Sequence, residues 1–425
     1  MIPAVASSYY RATERQRPRS DVLPGSLSVD VAVVGGGLVG LSTALHLARQ
    51  GVNVCVIEQG ELGLGASGRN GGQVHVGMRR DQWWLERNLG VAAAQRLWEL
   101  AIAAREHLDW LIREYAIECD FQPGLIAVNH KASFDADACA YVAHLQQQYQ
   151  YASIEYWDRQ TMAGVLHAAG YFGGTYDRRG GHLHPLNLTL GIARAAQQAG
   201  AALYTDLPVL KLHTRPKIKE IVTPLGVIKA KHVVLAANGY LNNLEARVAR
   251  RVMPINNFIV TTAPLGAKAG ELIANNAAVA DSRFVVNYFR LTPDNRLLFG
   301  GGENYSYRFP QDIGAFVRPH LERVFPSLKD VPFDYAWGGT LGITPKRLPL
   351  IRELDPGFIN ASGFSGLGVM LGPTVGRVVA QALMGDRDVF AMLTRLPAPV
   401  FPGGQWFRTP ALVAAMLFYA LRDRL

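Results

Sequence analysis

Residues 30–34 make a short β-branched block, Asp30-Val31-Ala32-Val33-Val34, the pattern of a buried strand. Gly35, Gly36 and Gly37 end it, and Leu38, Leu41, Leu45 and Ala48 then recur at helical spacing. A second β-branched run, 52–57, closes at Glu58. The chain thus opens as strand, tight turn, helix and strand. Residues 81–115 read as one long helix, with Trp83, Trp84, Trp98 and Trp110 set among charges as core packing. A strand over 125–128 and a helix over 132–149 follow. Residues 186–198 predict another helix, and 201–204 and 209–212 two strands. Residues 232–235 make a buried strand that runs into the small-residue turn Ala236-Ala237-Asn238-Gly239. Residues 258–262, 285–290 and 296–300 alternate apolar and polar positions, as strands of an antiparallel sheet do. The last third returns to the opening character. Residues 358–363 form an apolar strand, and a helix is expected over 373–383.

The turn after the first strand has the spacing Gly35-x-Gly37-x-x-Gly40. Gly35 permits the turn, Gly37 lets backbone approach a pyrophosphate, and Gly40 lets the helix pack on the strand. The helix N-terminus, at Leu38 and Val39, then faces the phosphates. Glu58 ends the second strand at the right distance to take a ribose hydroxyl pair, with Gln59 beside it. Together these residues predict an adenine dinucleotide site. The expected fold class is α/β: a Rossmann-type dinucleotide-binding domain interleaved with an α+β substrate domain built on an antiparallel sheet. Residues 1–80, 161–245 and 337–425 are assigned to the first domain, and 81–160 and 246–336 to the second. A nicotinamide dehydrogenase with one N-terminal binding domain would not need the late return of strand and helix.

A chain of 425 residues suits two domains. Cys55, Cys119 and Cys139 lack metal-ligand or redox spacing, so no metal site is expected and free thiols fit a cytoplasmic protein. Arg11, Arg15, Arg17 and Arg19 precede the first strand without an apolar run, unlike a secretory leader. The late apolar stretch 410–420 is too short to span a bilayer. The net charge of +9 is spread along the chain, with no basic block interleaved with aromatics, which argues against a nucleic-acid partner.

Five segments resemble the D-amino-acid-oxidase-like family of FAD-dependent oxidoreductases, over essentially the whole chain. They are the glycine fingerprint with Glu58; the loop Gly65-Ala66-Ser67-Gly68-Arg69-Asn70-Gly71-Gly72-Gln73; the turn Leu235-Ala236-Ala237-Asn238-Gly239; Trp337-Gly338-Gly339-Thr340; and Gly363-Phe364-Ser365-Gly366-Leu367-Gly368. The likeness is closest to the γ-glutamylputrescine oxidase branch. There the hallmarks look like the Ser67–Gln73 stretch, Tyr288-Phe289-Arg290 followed by Arg296-Leu297-Leu298-Phe299-Gly300-Gly301, and the basic end Leu421-Arg422-Asp423-Arg424.

The resemblance implies FAD as cofactor. It places Gly65, Ala66, Ser67, Arg69, Asn70, Gly71, Gly72 and Gln73 beside it, Ser67 and Arg69 as added donors. It sets the Val209 backbone on the adenine, and Ala237, Asn238, Gly239, Trp337 and Gly339 along the cofactor. Gly363, Gly366, Leu367, Gly368 and Val369 would open a helix toward the flavin pyrimidine, with Leu367 standing where many members carry a histidine. No cysteine lies where sarcosine oxidases tether their flavin, so non-covalent FAD is favoured; His75 falls near the position of a histidyl tether. Tyr288 and Arg290 share one face of a strand, and Arg290 could grip a carboxylate or bind at a domain seam. Arg347 lies where members place polar groups near the flavin. His182 and His184 precede a helix and suit capping or packing.

The implied activity is amine or amino-acid oxidation, C–N bond to imine, on a γ-glutamyl-polyamine or similar ω-amine. The alternatives are a secondary amino acid such as pipecolate, proline or sarcosine with electrons passed to a quinone, or a flavin-bearing binding subunit. Oxygen or a quinone would accept the electrons. The family's oxygen-activating lysine has no counterpart, because no lysine lies between Lys268 and Lys329. An apolar helix over 412–421, flanked by Arg408, Arg422 and Arg424, suits either the protein's own core or peripheral contact with anionic lipid.

Overall fold

The computed structural model describes residues 8–241, 244–304 and 308–402. Two sheets organise them. In the first, the order is Leu350–Asp355, Phe358–Ser362, Gly226–Leu235, Leu27–Val34, Val54–Ile57 and Ala202–Tyr204, with the hairpin Lys211–Thr214 and Lys219–Thr223 attached to Gly226–Leu235. Leu27–Val34 pairs in parallel with both neighbours, Val33 opposite Val234 on one side and Val56 on the other. A strand buried on both faces can be apolar throughout, and Val31 to Val34 are all buried.

Helix Leu38–Ala48 packs on this sheet and against helix Gly368–Leu383. The crossing is close. A Cβ on Gly376 would lie 2.6 Å from the Val39 carbonyl oxygen, so only glycine fits. Ser42 Oγ donates to the Pro373 carbonyl oxygen at 2.6 Å across the same contact. The late return of the chain is therefore the second helix of one layer.

The second sheet runs Phe333–Ile343, Met253–Thr262, Leu297–Asn304, Tyr288–Leu291, Ala278–Asp281, Gln122–Val128, Gly174–His182 and Gln73–Val74, with Ile154–Trp157 on Gly174–His182. Its pairs are antiparallel except Ala278–Asp281 with Gln122–Val128.

Sheet membership differs from the expected segment boundaries. Gly174–His182 lies inside 161–245 and Phe333–Ile343 crosses residue 337, yet both belong to the second sheet. Helix Val91–Glu114 was grouped with that sheet. Its Leu97, Ala101 and Leu108 instead share a core with Leu41, Leu45 and Val375. Sequence order hid this because an amphipathic helix does not declare which sheet its apolar stripe will meet. The single helix expected over 81–115 is two, Gln82–Leu89 and Val91–Glu114, broken at Gly90 with φ +87°. The helix expected from residue 373 begins at Gly368 and carries Pro373 inside it. The strand expected over 209–212 begins at Lys211.

No helix among the described residues is long and apolar enough to cross a membrane. The expected C-terminal helix over 412–421 lies outside the described residues.

Candidate active site

A cleft of about 360 Å³ opens at the carboxyl ends of the parallel strands. Gly35 has φ +119°, and a Cβ there would sit 2.7 Å from the Ala236 carbonyl oxygen. A Cβ on Gly40 would come within 2.0 Å of the Gly35 carbonyl oxygen, which explains the close helix-on-strand packing. Gly37 faces the loop instead, where a Cβ would meet Ser67 Oγ at 2.7 Å.

Glu58 takes the Gly36 N–H at 2.7 Å and the Gly60 N–H at 3.2 Å, one on each carboxylate oxygen. Each oxygen keeps a lone pair for a ribose hydroxyl. Burial pushes its pKa up against these bonds. Val209 lines the cleft, and its N–H and C=O have no hydrogen-bond partner among the described residues. Gly35, Gly37, Glu58, Gln59, Gly65, Ala66, Ser67, Ala237 and Asn238 line the same cleft. The bare turn, the acid and the open backbone fit an adenine dinucleotide.

The loop after the second strand is held by its own side chains. Asn70 Nδ2 donates to the Ala66 and Ser67 carbonyls at 2.9 Å, and Asn70 Oδ1 accepts from Gly72 N at 2.7 Å. Arg69 is buried; its Nε donates to the Leu64 carbonyl and its Nη1 to that of Gly338, both at 3.0 Å. Ser67 Oγ accepts from Leu38 N at 3.0 Å. Ser67 keeps its O–H free to donate into the first cleft, and Arg69, although it braces the loop through Nε and Nη1, still lines the second cavity. Gly72, at φ +73°, packs 2.0 Å (as a Cβ) from the Leu183 carbonyl oxygen and lines neither cavity.

A second cavity of about 320 Å³ shares Ala66 with the first and lies between the two sheets. The two cavities therefore adjoin at Ala66. Gly71, Gln73, His75, Tyr288, Gly339, Arg347, Gly366, Leu367 and Val369 line the second, with Phe284, Val286, Leu341 and Ile343 as apolar wall. Helix Gly368–Leu383 starts here with no side chain capping it, so its first N–H groups are available to flavin oxygens.

The Tyr288 ring lies between Gly71 and Gly300, whose Cβ positions would be 2.5 and 2.0 Å from it. Its hydroxyl donates to Asn257 Oδ1. Arg347 follows a turn pinned by Thr344, whose N–H donates to Ser365 Oγ at 3.2 Å and whose hydroxyl donates to the Leu348 carbonyl at 2.6 Å. Arg347 has φ +60°, and its guanidinium stacks on Phe284 at 5.1 Å without hydrogen bond or ion pair among the described residues. His75 is pushed down to about 4 by burial, and Arg79 acts in the same direction.

Arg290 does not reach the cavity. It is 2% exposed, and its guanidinium donates to the carbonyls of Gly71 (2.9 Å), Leu291 (3.1 Å) and Leu183 (3.2 Å) and to Tyr10 Oη (3.1 Å). Strand periodicity put it on the Tyr288 face correctly, but loop carbonyls cover it there. Trp337 is fully buried; its indole donates to the Arg69 carbonyl at 3.2 Å and lines neither cavity. Leu38, Val39, Gly40, Gly239, Gly363 and Gly368 do not line either cavity. His184 accepts from Asn187 N as a helix cap, and His182 is buried against the Asn276 carbonyl.

Sequence reasoning missed Tyr240, whose hydroxyl accepts from Thr340 N at 2.9 Å, and Asp281, which gathers Tyr171, Arg283 and Asn287 beside the cavity. Nothing local marks either one, because their partners come from distant strands.

The fold and the two joined cavities define a two-sheet flavoprotein, and the family of FAD-dependent oxidoreductases known as DAO matches residues 30–382. The chain belongs to this family of FAD-dependent oxidoreductases. It is 41% identical over 417 residues to the probable oxidoreductase OrdL of Rhizobium meliloti (strain 1021), spanning 98% of this chain and 97% of that one. It is 38% identical over 430 residues to the gamma-glutamylputrescine oxidoreductase of Escherichia coli (strain K12), spanning 99% and 98%. Among solved structures, glycine oxidase from Geobacillus kaustophilus superposes with a TM-score of 0.73 at 21% identity, covering 84% of this chain and 95% of that one. That likeness speaks for the fold alone.

Proposed function

We propose that the enzyme oxidises an amine bearing a carboxylate remote from the reacting nitrogen, of the γ-glutamylputrescine kind, to an imine that water hydrolyses. The observation that carries this reading is Arg347: a guanidinium on the cavity wall, stacked on Phe284 and without a carboxylate partner among the described residues. A planar fork of this kind grips a carboxylate through two parallel hydrogen bonds. The relative named for γ-glutamylputrescine, matched over the full chain, supports the same substrate class.

The residues divide the work simply. Bound FAD, held non-covalently in this reading, supplies the hydride acceptor, and the chain supplies position and dryness. Phe284, Val286, Leu341, Ile343 and Leu367 exclude water, which strengthens the ion pair at Arg347. His75 stays neutral and so does not repel the amine end.

An anaerobic panel scored by loss of flavin absorbance tests the reading. γ-Glutamylputrescine should bleach the flavin rapidly, with putrescine and a neutral acylated putrescine far behind. Arg347→Met should raise KM for the carboxylate-bearing amine roughly ten- to hundredfold, leaving putrescine nearly unchanged. Bleaching by proline, pipecolate or sarcosine alone would replace this substrate by a secondary amino acid.

A further inference from the structure

The short strand Gln73–Val74 delivers two polar side chains to the second cavity, Gln73 and His75. Their contact fixes a proton. Gln73 Nε2 lies 2.7 Å from the Val279 carbonyl oxygen, an atom that only accepts. The amide nitrogen must therefore face Val279, because two oxygens at that distance would repel. The amide oxygen is then the atom 3.0 Å from His75 Nε2. An oxygen without hydrogen needs a donor opposite it, so His75 carries its proton on Nε2. Nδ1 is left with a lone pair and no hydrogen-bond partner among the described residues.

We propose that Gln73 is a positioning residue that locks this tautomer, and that His75 Nδ1 accepts an N–H of the substrate amine in the cavity. The proposal rests on the amine-oxidising reading above and adds the group that receives the amine end. Arg347 and His75 then mark the two ends of the bound substrate, one for the carboxylate and one for the nitrogen. Other ionisable groups around the same cavity are Arg69, Arg79, Asp281, Tyr288 and Arg347. Arg69 is bonded to backbone carbonyls, Asp281 is bonded to Arg283, Asn287 and Tyr171, and the Tyr288 hydroxyl donates to Asn257. Arg69 has no acceptor to offer and the Asp281 oxygens are taken up by these donors, which leaves His75 Nδ1 as the nitrogen acceptor among these groups. Burial keeps the imidazole neutral across the working pH range, so the lone pair is present without titration.

Four variants, read by kinetics and by 15N spectra, test this. His75→Asn keeps an acceptor near the Nδ1 position, whereas His75→Leu has the same branched shape and none. The expected result is KM for the bleaching amine raised roughly ten- to hundredfold in His75→Leu but only a few-fold in His75→Asn, with FAD content equal in both. Gln73→Glu places a negative charge against Nε2–H and should raise the imidazole pKa. The acid limb of kcat/KM should then move to higher pH, because the imidazolium loses its acceptor and repels the amine. Independently of any substrate, 15N spectra of histidine-labelled holoenzyme should show His75 with a pyrrole-type Nε2 and a pyridine-type Nδ1, a pattern lost in Gln73→Met. The opposite tautomer in the wild-type enzyme would overturn the proposal, as would equal KM values for His75→Leu and wild type. If no amine bleaches the flavin, the substrate reading fails and the spectra still decide the tautomer.

Discussion

At the scale of single residues, the same side-chain type does two different jobs here. Arg290 is buried behind the cavity wall, whereas Arg347 has an uncommitted guanidinium on it. Arg290 ties the loop at Gly71, the chain at Leu183 and the N-terminal Tyr10 together, so replacing it leaves buried carbonyls without donors. Arg290→Met should cost about 3 kcal/mol or more of stability and weaken FAD retention. It should change KM for neutral and carboxylate-bearing amines alike; thermal melts and paired kinetics would check both. Gly37 gives a second test. A valine there would press a branched side chain onto Ser67, whose hydroxyl holds the Leu38 N–H. The protein should purify colourless, and a fully flavin-loaded Gly37→Val would place the cofactor elsewhere.

Elements are held by close approaches that only small residues allow. The crossing of helices Leu38–Ala48 and Gly368–Leu383 depends on Gly376, where a Cβ would lie 2.6 Å from Val39 O and 2.8 Å from Ser42 Cβ. Backbone cannot move aside as a flexible side chain can. Gly376→Ala should therefore destabilise by about 1–3 kcal/mol despite the better helix propensity of alanine. Because the second helix aims its uncapped N-terminus at the flavin region, the same variant should loosen FAD. Chemical denaturation and the flavin-to-protein absorbance ratio measure the two effects.

Across the whole molecule, the most general consequence concerns acid. His182 and His184 are pushed down to about 3 by burial, with Arg290 acting in the same direction, and His46 and His107 are also held below the usual histidine value of 6.5. Below about pH 6.5 the unfolded chain binds protons that the folded chain refuses. Stability is therefore fully present above that pH and falls as pH drops, by about 1.4 kcal/mol per unit for each such histidine. Glu58 and Asp177, whose pKa values burial raises, act in the opposite sense and offset part of the loss. His75, His232 and His320 are held down by burial in the same way, so the histidines outnumber these two carboxyls and Tm should decrease steadily from pH 7 to pH 5. A Tm that rose over this range would show that these histidines are not neutral in the folded state.

The dinucleotide half of this protein was legible in the order of its residues. Strand, glycine turn, helix and Glu58 are contiguous, and their chemistry is local: a positive φ at Gly35, a missing Cβ at Gly40, an acid at a strand end. The same holds for the loop around Asn70, which folds on its own side chain. Tertiary structure alone decided the rest. Whether Arg290 or Arg347 faces the cavity depends on which carbonyls arrive from Gly71 and Leu183, and strand periodicity is blind to them. The sheet that claims Gly174–His182, the layer that claims Val91–Glu114 and the pairing of Gln73 with Val279 are likewise long-range choices. Local sequence encodes conformational preference and hydrogen-bonding capacity; which partner uses that capacity is settled only when distant segments pack together.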